Sequence, residues 1–149
     1  MKKFRFSLEP LLKYRTFMEQ KAKQELAEAL KNLSDCEEQI KKLENDKINA
    51  MVEMDREMAK GISSDQYRLH TSFIDSLDAM ILSEEDRRIR LMKVVREKQQ
   101  ALAKRSVDKK AIENLKQKKR TEYLEEMASS QQKIADEIIM VRKARENLK

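Results

Sequence analysis

Catalysis or metal binding in this chain would have to be built from one histidine, one cysteine and a supply of carboxylates. His70 and Cys36 are the only residues of their types. A cysteine nucleophile needs a base beside it, and a structural metal site needs about four converging ligands. A lone cysteine also forms no intramolecular disulfide. Cradling a phosphate takes a glycine-rich loop, and Gly61 is the single glycine. Carboxylates cluster at Glu37-Glu38 and Glu84-Glu85-Asp86. Acid–base work, however, needs a pocket that strips water from one of them. The expectation is no enzymatic activity, no metal, no cofactor and no small-molecule substrate. Cys36 reads as a buried thiol and His70 as a seam or surface residue.

What would position these residues is helical. Charged residues make up 40% of the chain, there is one proline and no tryptophan, and only 5% of residues are aromatic. That leaves too few bulky side chains for a compact core and matches the composition of long helices. Disorder is the competing outcome for so charged a chain, but apolar residues recur every three or four positions. One heptad position reads Leu12, Glu19, Leu26, Leu33, Ile40, Lys47, Met54. The other reads Leu8, Arg15, Ala22, Ala29, Cys36, Leu43, Ala50, Glu57. A second helix must cover such a stripe. Arg15, Glu19 and Lys47 interrupt it, which predicts imperfect packing.

The ends of the elements are marked as well. Ser7 suits an N-cap, Phe6 and Leu11 suit a hydrophobic staple, and Pro10 falls in the first turn, where its missing N–H costs little. Gly61 suits a helix stop, and Ser63 with Gln66 forms the pattern of a capping box for a second helix. Ile62 and Tyr67 would staple it. The fold class expected is all-α: a long antiparallel two-helix coiled-coil hairpin, one domain over 1–149. Helix 1 runs over about 7–60, the turn over about 61–64 and helix 2 over about 65–147. The second seam takes Tyr67, Ile74, Leu77, Ile81, Leu91, Val95, Leu102, Ile112 and Leu115, with a phase drift or bend before Met127, Ile134, Val141 and Leu148. At 1.5 Å per residue the helices would measure about 80 and about 125 Å. Folded about Gly61, helix 1 would end opposite residues near 115–120. The last 30 residues or so would form a helical overhang with an uncovered apolar face.

Charge is unevenly spread. Residues 61–86 carry one basic and six acidic groups, and residues 87–120 carry fourteen basic and three acidic ones. Such asymmetry steers an oppositely charged partner. The basic stretch Arg87–Arg120 invites phosphate tracking, but no aromatic lies within it to stack a base. Nucleic acid is therefore not expected. No apolar run approaches the roughly 20 residues that span a bilayer, and Met1–Ser7 lacks the apolar run of a signal peptide. A cytoplasmic protein is expected, with membrane contact only peripheral or through a partner. Nine methionines, with Met51, Met54 and Met58 in one helical run, suit either adaptable helix contacts or a soft seam.

The opening Phe4-Arg5-Phe6-Ser7-Leu8-Glu9-Pro10-Leu11-Leu12-Lys13-Tyr14-Arg15 resembles that of the flagellar export protein FliJ family. The turn block Gly61-Ile62-Ser63-Ser64-Asp65, followed by Phe73 and Leu77, is similar to that family's tip. The stretch from Lys109 to Leu115, through Tyr123 to Glu137, looks like its basic C-terminal helix. The resemblance implies a non-enzymatic stalk or adaptor of the bacterial flagellar type III export apparatus, serving flagellum biogenesis and hence motility and chemotaxis. Its implied partners are the flagellar export ATPase hexamer, the membrane export gate protein and the export chaperones. It also implies a gate-contact face near the tip at Gln39, Leu43, Phe73, Leu77 and Met80, with Asp46, Ala50 and Glu84 alongside. The end carrying the termini would meet the ATPase ring through Phe4, Phe6, Leu8, Leu12, Arg15, Ile134, Ile138 and Val141. Three alternatives stand beside this: the equivalent stalk of a virulence type III system, a basic coiled coil binding nucleic acid, and a homodimerising structural coil.

Overall fold

The chain reverses at Gly61. Its φ of +87° lies in the left-handed region that only glycine enters at little cost, and its N–H returns to the Met58 carbonyl at 3.1 Å. Two residues on, the capping box is present. Ser63 N–H donates to the Gln66 side-chain oxygen and Gln66 N–H donates to the Ser63 hydroxyl oxygen, each at 3.2 Å. Removing the box with Ser63→Ala is expected to cost about 1 kcal/mol, read as a lower midpoint in urea unfolding followed by circular dichroism.

The computed structural model describes residues 2–148; Met1 and Lys149 lie outside it. Helix α1 spans Glu9–Lys60 and helix α2 spans Ser64–Asn147. They pack as an all-α helical hairpin, with no strand among the described residues. The chain divides into two compact units. One is Gln20–Ala103, which holds the turn; the other is Met1–Glu19 with Lys104–Lys149. α2 is continuous across this division, which falls where the apolar stripe drifts in phase.

In the turn unit the core is the heptad seam. Ala22, Ala29, Cys36 and Leu43 from one repeat position are buried, together with Ile40, and α2 answers with Leu77 and Val95. Small side chains at three successive repeats let the helices approach closely. The interruption at Lys47 is met by Asp78, 2.6 Å away. In the terminal unit Ile112 is buried, and the other interruptions are also satisfied. Glu19, 7% exposed, takes a hydrogen bond from the Lys109 ammonium at 3.3 Å. Arg15 donates to the Asp108 carbonyl at 2.7 Å. The interrupting charges are thus paired, and packing beside two of them is imperfect as expected, with grooves of about 330 Å³ at Lys47 and about 190 Å³ at Arg15.

Other expectations are corrected, and with the first of them the staple positions read at Phe6 and Leu11. The first helical bond of α1 runs from Leu12 N–H to the Leu8 carbonyl at 2.9 Å, so Leu8, not Ser7, holds the cap position. Tyr67 is exposed rather than in the seam, because this first turn of α2 has only the hairpin turn itself opposite it. The uncovered stretch is also shorter than 30 residues. Glu9 does lie opposite Lys116, at 2.9 Å, but the segment before α1 continues along α2 and covers part of Tyr123 and Met127. From residue 128 to residue 148 every residue is exposed.

Candidate partner-binding surfaces

The turn unit holds five of the expected contact residues, and the structure separates them. Gln39 and Met80 are exposed and flank Leu43, Ser83 and Glu84 in a shallow groove of about 190 Å³. Phe73, 55% exposed, stands free on α2, whereas Leu77, at 5%, is locked in the seam, as is Leu43. Leu77 and Leu43 therefore hold the helices together, and the side chains available to a partner are Gln39, Phe73 and Met80. A second groove, about 330 Å³, lies between Lys47, Met51 and Met54 of α1 and Thr71, Ile74 and Asp78 of α2. Met51 and Met58 are exposed.

Cys36 is fully buried beneath this face, its sulfur 3.4 Å from both the carbonyl and a carboxylate oxygen of Glu84. Burial, then the hydrogen bond to Glu84, pushes its thiol above the ordinary range. The neutral thiol is thus the form that the fold favours. Its stabilising contribution is complete below the free-thiol pKa and is lost as pH rises through the elevated one. Iodoacetamide at pH 8 is expected to label Cys36 at least about a hundredfold more slowly in the native protein than in urea. Equal rates would show that the seam opens freely.

In the terminal unit the residues before α1 form a strap on α2. The Phe4 ring packs on Tyr123 at 5.6 Å and 44°, and the Tyr123 hydroxyl donates to the Lys2 carbonyl. Phe6 and Leu8 sit over Leu115 and Lys119. Phe4, Phe6, Leu12 and Arg15 are thus partly buried against their own chain, and Leu8 is more open. Ile134, Ile138 and Val141 are exposed, as expected, and the strap does not reach them. Ile139 and Met140, which the heptad reading left out, are just as open. Their signal is the uninterrupted run Ile138-Ile139-Met140-Val141. At 3.6 residues per turn, four successive residues face every side of a helix. This collar is apolar all round, with each side chain at least half exposed. At the other end of this unit, the hydrogen bond to Glu19 raises the Lys109 ammonium above its ordinary pKa.

The basic stretch resolves into two populations. Arg87, Arg88, Lys98, Lys109, Lys116 and Lys119 face carboxylates of Glu84, Glu85, Glu25, Glu19, Glu9 and Glu122. Arg90, Lys93, Arg96, Lys104, Arg105, Lys110, Lys118 and Arg120 have no such partner among the described residues, and all but Arg105 are exposed. No group of three or more potential metal ligands occurs among the described residues, and no described helix is long and apolar enough to cross a membrane.

The paired helical hairpin thus leaves both apolar and cationic side chains open on its surface. The family model described as flagellar FliJ protein matches residues 4–148. The chain belongs to the FliJ family, a family of the flagellar protein export apparatus. No curated protein and no solved structure matches it.

Proposed function

We propose that this chain is the stalk of the flagellar type III export apparatus, coupling the export ATPase ring to the membrane export gate and receiving export chaperones. The observation that carries this reading is the collar Ile138–Val141. This single turn is apolar on every side between Asp136-Glu137 and Arg142-Lys143 and has no cover within its own unit, so an enclosing partner would remove its side chains from water. A ring of ATPase subunits supplies an enclosure of that kind. Membership of the flagellar family favours the flagellar apparatus over a virulence-type system. Hydrolysis resides in the ATPase. The gate meets the turn unit through Phe73, Met80 and Gln39, and the protein works in the cytoplasm, held at the membrane by its partners. The strap residues Phe4 and Phe6 shape the base of the collar helix rather than inserting into the ring themselves.

Purified full chain is to be run with the export ATPase hexamer, and separately with the cytoplasmic domain of the gate protein, in analytical ultracentrifugation. Co-sedimentation with both is the expected result. Failure to bind the ATPase under conditions in which it is hexameric would overturn the stalk reading.

A further inference from the structure

Between Leu82 and Arg96, α2 carries an open stripe that neither the groove beside Met80 nor the collar uses. Leu82, Ile89 and Met92 all point into solvent, with Ile89 63% exposed. Spacings of seven and three keep them on one flank of the helix. Large apolar side chains aligned in the open mark an interaction surface more often than scattered ones do. Arg90, Lys93 and Arg96 lie in and beside the stripe. None of the three has a carboxylate partner among the described residues, while their neighbours Arg87, Arg88 and Lys98 are engaged. Within the stripe Glu84 and Glu85 are engaged by Arg87 and Arg88, so from residue 82 to residue 103 only Asp86 and Glu97 are acidic side chains outside such a pair.

We propose that this flank docks an acidic amphipathic helix of a partner protein. The partner's apolar side would lie on Leu82, Ile89 and Met92, and its carboxylates on Arg90, Lys93 and Arg96. The stripe follows a helical period over about 21 Å, a length that three to four turns of a partner helix match side by side. Charge complementarity selects an acidic occupant and speeds its encounter. A lipid surface fits less well. Polybasic lipid sites gather four to eight cations, and the flank has no aromatic side chain to anchor at the headgroups. Nucleic acid would leave the leucine and isoleucine idle and find nothing to stack on. The surface is distinct from those assigned to the ATPase and the gate, so its failure would leave the stalk reading untouched.

The test uses the full chain and a fluorescein-labelled helical peptide of about 14 residues, with Leu along one face and Glu on the others. A Lys-for-Glu version, phosphatidylglycerol vesicles and a short DNA duplex serve as competing probes. Saturable binding of the Glu peptide is expected. It should weaken about tenfold or more in Ile89→Ser/Met92→Ser, and likewise in Arg90→Glu/Lys93→Glu/Arg96→Glu. Reversing Lys104, Lys110 and Lys118, exposed cations outside the flank, should change it less than about twofold. Circular dichroism checks that each variant stays helical. Amide hydrogen exchange on the unaltered protein should show the footprint at residues 82–96. Binding that survives both flank variants, or a preference for vesicles, duplex or the Lys peptide, would overturn the assignment.

Discussion

Leu77→Ala should lower the unfolding free energy by about 2–4 kcal/mol, while Phe73→Ala should leave it within about 0.5 kcal/mol. The two residues are neighbours on one helix and of similar hydrophobicity, yet their surroundings are opposite. Leu77 is buried in a narrow seam that collapses poorly when a side chain is cut back; Phe73 keeps more than half of its surface in water. The order should reverse in binding. Phe73→Ala should weaken association with the gate protein's cytoplasmic domain about tenfold, as loss of an exposed aromatic anchor does. Leu77→Ala should act there only by loosening the hairpin. Urea titrations beside binding isotherms separate the two effects, and equal stabilities for the two variants would show that the seam is misassigned.

Aspartate in the collar should have the largest effect on ATPase binding. Ile138→Asp/Val141→Asp places two charges where water must be excluded, and capture by the ATPase should fall at least about a hundredfold. The informative companion is Ile139→Asp/Met140→Asp, on the other sides of the same helix. A docking site that encloses the helix predicts comparable losses for both pairs, whereas a one-sided groove predicts that the second pair is tolerated. Because these residues touch nothing in their own unit, stability should barely move in either, and a binding defect can be read without a folding correction.

Much of this was legible because the code was local. Gly61, Ser63 and Gln66 specify a reversal within six residues, each by backbone chemistry that does not depend on the rest of the fold. The buried Ala22–Ala29–Cys36–Leu43 ladder follows from period alone. Period put Leu77 in the seam and the family resemblance put it in the contact face beside Phe73; the opposing helix keeps Leu77 in the seam and leaves Phe73 exposed. Arg15, Glu19 and Lys47 read as flaws because their partners, Asp108, Lys109 and Asp78, lie far along the chain and carry no shared motif. The strap was hidden for the same reason. Lys2–Phe6 has no regular structure, and Tyr123 is an isolated aromatic with nothing nearby to announce a contact. Ile139 and Met140 were visible as part of an apolar run, but a heptad template counts only the positions that fit it. The partner-contact residues themselves came from family resemblance. The structure sorts them into exposed and buried without a partner to touch them.

The capping box also has a consequence for how the protein is made. Contacts grow steadily more distant in sequence away from Gly61. Cys36 and Glu84 are separated by 48 residues, Glu25 and Lys98 by 73, Glu19 and Lys109 by 90, and Lys2 and Tyr123 by 121. Closing any of the long loops outright is entropically costly, but each pairing next to one already made closes only a short one. The favoured route is therefore a zipper that starts at the turn, with Ser63 and Gln66 holding its first tooth in register. On the ribosome α1 would wait, unpaired, until the turn had emerged, and would then be taken up turn by turn as α2 followed, with the strap fastened last.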